Sequence, residues 1–209
     1  MREYVPLCAF RIDLLPAGCQ CCAWWQTRGP HTLDETTARE ERRQWMVALE
    51  PTWGSTGLIS PIAPGVTAAI HYAPVSAIPR LRELPLGPLP EQSVLLFCLQ
   101  ADPEAPFQEM RRVLHKALAV LKEREAGEVY AYARPASGDG RDERCHFFDL
   151  DFLEANGFER VRSEGDLYLL RANLRGLLSV VAQLESALGR FFRNNPAPTA
   201  ATWIRRPSA

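Results

Sequence analysis

The chain has 209 residues, of which 46% are hydrophobic and 23% are charged, and its formal net charge is -1. This composition is typical of a folded domain with room for one core and an appendage, and it provides no broad basic surface for nucleic acid. No apolar run approaches the roughly 20 residues of a membrane span, and the first residues lack the apolar segment of a secretory signal. We therefore expect a cytoplasmic protein without a membrane span, whose cysteines are mostly reduced.

The N-terminal segment predicts an edge strand followed by a cysteine-rich connection. Residues Tyr4 to Arg11 could form the strand, and Pro6 indicates an edge position. The connection runs from Cys19 to Trp25 without a clean period. Its three cysteines are Cys19, Cys21 and Cys22. Because zinc sites usually need two separated cysteine pairs, we expect these side chains to pack as small apolar groups and to bind no metal.

A polar helix is predicted next. Thr32 and Glu35 have the spacing of a capping box, which indicates a helix that runs to about Leu49. Within it, the charge run from Arg39 to Arg43 is typical of a solvated helix face.

Two strands joined by a turn follow this helix. They are Gly57–Ile62 and Val66–Tyr72, and Ala63-Pro64-Gly65 between them is a turn signal. In the second strand, His71 falls on the face opposite the large apolar residues, where it could be a base or, more commonly, a structural histidine. The proline-rich stretch from Pro74 to Pro90 predicts an ordered loop with at most a turn of helix.

The most informative stretch, Val94 to Phe158, has the order strand, helix, strand, helix. Its strands, Val94–Leu99 and Val129–Ala133, should lie parallel because the helix between them returns the chain to the same edge of the sheet. The apolar face of that helix is predicted to comprise Met110, Val113, Leu114, Ala117, Leu118 and Leu121. Glu159–Arg162 and Leu167–Arg171 then predict an antiparallel pair of strands.

The C-terminal segment predicts a separate element. From Leu174 to Phe192 the apolar residues have the three-and-four spacing of an amphipathic helix, and the tail from Asn194 onward has no period. We therefore divide the chain into a domain at 1–172 and a helix with an irregular tail at 173–209. The apolar stripe could cover the domain's own sheet or pair with a second copy, and we favour the homodimer.

Two of these segments resemble motifs of the GNAT superfamily of acyl-CoA-dependent N-acyltransferases. Leu96 to Glu104 resembles the family's fourth strand with its following proline, and Phe152-Leu153-Glu154-Ala155-Asn156-Gly157-Phe158 resembles its Phe-Tyr-x-x-x-Gly-Phe box. Cys19 to Trp25, with Trp45 later, is similar to the Cys-rich Trp-Trp segment of a bacterial subgroup. The resemblance implies an α/β fold, with a mixed twisted sheet flanked by helices.

The resemblance also implies a cofactor and its location. In the family, pantetheine lies along the fourth strand, and the pyrophosphate binds backbone N–H groups at the positive end of the next helix. This implies acetyl-CoA as the cofactor and an unidentified amine as the acceptor. The residues implied to contact the cofactor are Leu99, Gln100, Ala101, Gln108, Arg111 and Arg112.

The phosphate-binding loop departs from the family pattern of Arg/Gln-x-x-Gly-x-Gly/Ala. Phe107, Glu109 and Arg111 stand where glycines are expected, and a glycine lets the backbone approach the phosphates closely. Glu109 at this helix end is expected to repel an anion. Gln108, Arg111, Arg112 and Lys116 could supply side-chain donors in place of backbone ones.

The catalytic groups are left unassigned. Many family members protonate the leaving thiolate with a tyrosine, and Leu153 occupies that position here. The possible substitutes are Tyr130, Tyr132, Tyr168 and Cys145. Backbone donors near Leu99 to Ala101 would polarise the thioester carbonyl. Two functions therefore stay open: an N-acetyltransferase, or a catalytically inactive binding protein of the same fold.

Overall fold

The computed structural model describes residues 3–29, 33–136 and 146–175. Within these ranges, a mixed sheet of eight strands forms the centre of the domain. The strands are β1 (Val5–Pro6), β2 (Gly57–Ala63), β3 (Val66–Pro74), β4 (Val94–Ala101), β5 (Glu128–Arg134), β6 (Phe148–Asp149), β7 (Glu159–Glu164) and β8 (Leu167–Asn173). The helices are α1 (Ala17–Gln20), α2 (Glu35–Trp53), α3 (Phe107–Glu123) and α4 (Leu150–Ala155).

The sheet has the order β1-β2-β3-β4-β5-β8-β7, and β6 pairs with β5. Its pairs are antiparallel except for β4 with β5 and β5 with β6. The β4-α3-β5 crossover is therefore the parallel unit that the sequence predicts. The predicted hairpin of β2 with β3 and the antiparallel pair of β7 with β8 are also confirmed.

Both faces of the sheet are covered by packed side chains. Neighbouring residues of each strand point to opposite faces and therefore belong to different cores. In β4, Val94 and Leu96 belong to the core under α3 and α4. Leu95 and Phe97 belong to the opposite core, which includes Trp25 and side chains of α2. Five of the six predicted apolar residues of α3 are buried: Val113, Leu114, Ala117, Leu118 and Leu121. A third core packs the N-terminal segment on α2 and β2.

The N-terminal half differs from its sequence-based description in two respects. The first strand is only Val5–Pro6, and a 3-10 helix at Ala9–Leu14 follows it. Helix α2 begins at Glu35, because the Asp34 side chain accepts a hydrogen bond from the Thr37 N–H at 3.0 Å. That bond satisfies one of the backbone N–H groups that have no partner inside the helix at its start. The predicted cap Thr32 lies outside the described residues.

The remaining predictions concern the proline-rich loop and the C-terminal segment. The loop contains two short 3-10 helices, Val75–Ala77 and Pro79–Arg82. The predicted helix from Leu174 to Phe192 lies, from residue 176 onward, outside the described residues. That helix and the predicted dimer stay predictions. None of the described helices combines the length and the apolar composition that crossing a membrane requires.

Candidate active site

Strand β4 contains a β-bulge that separates its second half from β5. Opposite β3, Ile70 pairs with Leu99 and His71 pairs with Phe97, so Cys98 is an extra residue, and its φ is 52°. Pairing between β4 and β5 covers only Val94 to Leu96. A bulge bends its strand, and β4 therefore diverges from β5 after Leu96.

The divergence opens a cleft between β4 and β5. Its volume is about 280 Å³. The lining residues are Leu99, Phe107, Met110, Arg134, Pro135, Ala136, Phe147, Phe148, Asp149 and Phe152, and we call this space the β4–β5 cleft. Strand β6 pairs with the end of β5 at Ala133 and Arg134. Since β8 pairs with the other edge of β5, β6 takes the edge from which β4 has diverged. The cleft is thus mostly apolar, and the charged residues of its lining are Arg134 and Asp149.

Helix α3 begins at the mouth of this cleft. Pro106 precedes its first residue, Phe107, whose side chain is 70% exposed and meets the Phe152 ring edge-on with centroids 6.2 Å apart. The first N–H groups of a helix have no partner within it, so those of Phe107 and Gln108 point out of the helix end. Arg111, one turn further along, is also exposed.

Glu109 does not point out of the start of α3, where the sequence predicts that it would repel an anion. Its side chain is fully buried, and Oε1 accepts a hydrogen bond from the Ser60 hydroxyl at 2.6 Å. Its Oε2 lies 3.2 Å from Arg112 Nη1. The carboxylate is therefore directed toward Ser60 of β2, and its charge is compensated by Arg112 of α3 itself. Phe107 is the bulky residue that remains at the helix start.

None of the three tyrosines considered as proton donors lines the β4–β5 cleft. Leu153, at the family's tyrosine position, is fully buried in the core. Tyr130 donates its hydroxyl to Glu128 and Tyr132 donates to the Pro85 carbonyl, while the ring of Tyr168 lies under the Arg160 guanidinium. Cys145 lies outside the described residues. The structure therefore leaves the proton donor unassigned.

A second cavity lies on the other side of β4. Its volume is about 520 Å³. The lining residues are Pro16, Gly18, Cys19, Cys22, Arg42, Cys98, Gln100, Ala101, Asp102 and Pro103, and we call it the cysteine cavity. The residues that the resemblance implied to bind one cofactor are thus divided. Leu99 lines the β4–β5 cleft, Gln100 and Ala101 line the cysteine cavity, and the three α3 residues lie at the helix start.

Arg42 is the residue of the cysteine cavity that sequence reasoning missed. It belongs to the charge run assigned to a solvated face, yet its side chain is only 3% exposed. Its Nη1 donates to the carbonyl of Cys19 and, at 3.2 Å, to that of Cys22. Its Nη2 lies 2.9 Å from Nε2 of His71. Burial lowers the pKa of this guanidinium, but arginine stays protonated in proteins, so the site contains a buried positive charge.

His71 is confirmed on the face opposite Ile70 and Tyr72, where its ring stacks on Phe97 with centroids 5.6 Å apart. Burial and the positive charge of Arg42 hold its pKa well below the usual range. It is therefore a neutral imidazole that accepts a hydrogen bond from Arg42. This contact favours the structural role over that of a general base.

The Trp-Trp segment packs beside the end of β5. Trp25 is buried against Phe97 and Tyr132, with centroids 5.5 and 6.3 Å apart. Trp24 stacks on His146 at 4.5 Å, and Nε2 of that histidine lies 3.4 Å from Cys22 Sγ. In the described part of the chain, no group of three or more His, Cys, Asp or Glu side chains is placed to hold a metal ion.

Comparison with known proteins gives the fold. No family model matches the sequence, and no curated protein matches it. Among solved structures, the chain is similar to a ribosomal-protein-alanine N-acetyltransferase from Brucella melitensis, with a TM-score of 0.51 and 14% identity over 82% of this chain and 99% of that one. It is also similar to the PaiA N-acetyltransferase from Thermoplasma acidophilum in complex with coenzyme A, with a TM-score of 0.50 and 13% identity over 83% and 99% of the two chains. The chain therefore has the GNAT fold.

Proposed function

We propose that this chain transfers an acetyl group from acetyl-CoA to an amine. The observation that carries the proposal is the bulge at Cys98, which separates β4 from β5 and opens a cleft lined by Leu99 beside the start of α3. An extended pantetheine arm can lie along the diverging edge of β4 in place of a neighbouring strand. The similar Thermoplasma acidophilum protein was crystallised with coenzyme A, which supports the choice of cofactor.

The phosphates would be held at the start of α3. The N–H groups of Phe107 and Gln108 and the positive end of the helix dipole attract an anion there. Arg111 and the Gln108 side chain add donors from the exposed side of the helix. Phe107 restricts how closely the phosphates approach the backbone, and the cofactor should therefore bind weakly.

Acetyl transfer needs stabilisation of two developing charges. Backbone N–H groups between Leu99 and Ala101 would polarise the thioester carbonyl. The thiolate that leaves needs a proton or a positive charge, and Arg134 in the cleft lining can supply the charge. Its guanidinium lies 4.9 Å from the centre of the Phe147 ring, with Nε 3.7 Å from the Asp166 carboxylate. We propose Arg134 as the group that stabilises the thiolate in place of a tyrosine.

Two residues favour the alternative, an inactive GNAT-fold binding protein. Leu153 carries no transferable proton and is buried in the core, and the exposed Phe107 ring occupies the helix start. In this alternative the β4–β5 cleft persists because the bulge holds it open, but no acyl-CoA enters it.

Isothermal titration with acetyl-CoA decides between the two functions. The wild-type chain should bind acetyl-CoA weakly, and Phe107→Gly should tighten binding several-fold because it clears the helix start. Met110→Leu, which keeps an apolar cleft lining, is the matched control and should leave affinity unchanged. If neither the wild type nor Phe107→Gly binds, the acyltransferase proposal is wrong and the binding-protein alternative stands.

Arg134 has a separate test. Once binding is established, Arg134→Gln should lower the rate of acetyl transfer or thioester hydrolysis by about tenfold, which corresponds to roughly 1.4 kcal/mol of transition-state stabilisation. Arg134→Lys should retain most of the rate because it keeps the positive charge. An unchanged rate in Arg134→Gln would exclude this arginine from the chemistry.

A further inference from the structure

A cysteine and a histidine from distant parts of the chain meet at the cysteine cavity. Nε2 of His146 lies 3.4 Å from Sγ of Cys22, although 124 residues separate the two in sequence. Cys22 is partly exposed and lines the cavity. The contact therefore places a nucleophile and a base beside a cavity, and the proposed function gives this pair no role.

Contacts to both members hold the pair in position. Arg42 Nη1 donates to the Cys22 carbonyl at 3.2 Å. The His146 ring stacks on Trp24, with centroids 4.5 Å apart and planes inclined by 19°. Trp24 is held in turn by Arg80, whose Nε donates to the Trp24 carbonyl at 2.9 Å and whose guanidinium lies over the indole ring. A nucleophile in contact with a base that a third group orients is the arrangement that covalent catalysis requires.

The pair is also close to the β4–β5 cleft. His146 directly precedes Phe147, which lines the cleft. Trp24, on which His146 stacks, meets the Phe147 ring edge-on with centroids 5.5 Å apart. The pair therefore borders the cleft proposed for the acyl donor through Phe147, and the cysteine cavity through Cys22.

We propose that Cys22 is a nucleophile that accepts an acyl group from a thioester, with His146 as its base. Nε2 takes the thiol proton while the sulfur attacks the carbonyl carbon. A carbon–sulfur bond forms to Cys22, the carbon–sulfur bond of the donor breaks, and the donor thiolate takes the proton from His146. An amine in the cysteine cavity then attacks the S-acyl group, and its proton passes through His146 to the Cys22 sulfur that leaves.

The charges around the cavity favour attack by the sulfur. Among the described residues, the charged side chains of the cavity lining are those of Arg42 and Asp102. The buried positive charge of Arg42 attracts the negative charge that develops on the Cys22 sulfur. Asp102 is engaged elsewhere, because its Oδ2 accepts from the Thr67 N–H at 2.6 Å and from the Thr67 hydroxyl at 3.0 Å. The inference rests on the proposed function only for the identity of the natural acyl donor.

S-Acetyl-N-acetylcysteamine, a thioester without a nucleotide, tests the nucleophile on the full chain. The wild type should gain an acetyl group that hydroxylamine removes, and fragment-ion mass spectrometry should assign it to Cys22 rather than to Cys19 or Cys21. Cys22→Ala should lose this label, whereas Cys21→Ala, the matched control one residue away, should keep it. An unlabelled wild type, or equal labelling of Cys22→Ala and the wild type, would overturn the proposal and leave the Cys22–His146 contact as packing.

His146→Phe tests the base, because it keeps a ring for Trp24 to stack on and removes the nitrogen that contacts Cys22. The rate of Cys22 acetylation at neutral pH should fall by about a hundredfold, since a positioned general base contributes at least that much. His115→Gln changes an exposed histidine that contacts Asn156, and it is the control that should leave the rate unchanged. A wild-type rate in His146→Phe would overturn the pair.

The wild-type chain decides alone if His146→Phe does not fold. Cys22 and Cys21 are neighbours in sequence and both are partly exposed, but the contact with the histidine belongs to Cys22. At early times Cys22 should therefore be acetylated at least about tenfold faster than Cys21. Equal initial rates for the two cysteines would overturn the proposal.

The same donor separates this inference from the proposed function. Because S-acetyl-N-acetylcysteamine does not use the phosphate site, labelling of Cys22 by it without acetyl-CoA binding would support the nucleophile and overturn the proposed cofactor. Acetyl-CoA binding with no label on Cys22 from either donor would overturn the nucleophile and leave the proposed function standing.

Discussion

The two sides of β4 have opposite characters although one strand lines both. The β4–β5 cleft is mostly apolar and lies beside the exposed start of α3, with Arg134 in its lining. The cysteine cavity surrounds a guanidinium that is 3% exposed, with thiols and backbone carbonyls as its neighbours. The bulge at Cys98 connects them, since it opens the cleft on one side and places a thiol in the cavity on the other.

This difference indicates how the two sides would contribute to a reaction. The cleft offers shape and backbone hydrogen bonds, which suit a long, flexible cofactor arm. The cavity offers a fixed electric field, which affects the ionisation of whatever lies in it. Changes on the cavity side should therefore have the larger effects on stability and pH dependence, and changes on the cleft side should appear mainly as small changes in affinity.

The largest effect is expected for Arg42→Gln. The carbonyls of Cys19 and Cys22 and the His71 nitrogen would lose their donor inside a buried site, and each buried acceptor left without a partner typically costs about 1–3 kcal/mol. Urea unfolding measures the loss. Arg43→Gln removes an exposed pair with Glu40 and should cost much less stability, because water screens that pair. Similar losses for the two variants would show that Arg42 is not held as described.

Glu109→Gln should have the next largest effect. Ser60 would retain an acceptor, but the charge-assisted contacts to Ser60 and Arg112 would be lost at a cost of about 1–3 kcal/mol. Glu104→Gln, an exposed change in the preceding turn, is the matched control. If Glu109→Gln instead leaves stability unchanged and tightens acetyl-CoA binding, the carboxylate faces the anion site after all.

The sequence predicts the strands and α3 well because their apolar patterns follow from local geometry. The βαβ unit and the α3 core face depend only on spacing along the chain, and both are confirmed. Arg42 and Glu109 were misjudged because a charged residue on a helix is normally solvated, and only contacts from distant segments decide otherwise. Arg42 is held by carbonyls 20 and 23 residues earlier and by a histidine 29 residues later. No local spacing contains that information.

The pH dependence of stability separates the two sides further. Because the pKa of His71 is held well below its unfolded value near 6.5, the unfolded chain binds a proton that the folded chain does not. The contribution of His71 to the free energy of unfolding is therefore fully present above about pH 6.5. It decreases by roughly 1.4 kcal/mol per pH unit below that value. His71→Gln should flatten the acid limb of a plot of unfolding free energy against pH. An unchanged slope would assign the acid sensitivity to other groups.

The smallest effect is expected at the start of α3, and it concerns affinity. Arg111 is exposed, so its attraction to a phosphate is screened by water and should contribute about 0.3–1 kcal/mol, which is a two- to fivefold change in the Kd for acetyl-CoA. Arg111→Ala is cleaner than Arg112→Ala, because Arg112 also compensates Glu109. Lys122→Ala, near the far end of the same helix, is the control and should leave the Kd unchanged. The Arg111 effect should shrink as salt is added, since the pair is exposed to solvent. Equal effects of Arg111→Ala and Lys122→Ala on the Kd for acetyl-CoA would show that phosphates do not bind at this helix end. The β4–β5 cleft would then lack the anion site that is proposed to distinguish it from the cysteine cavity.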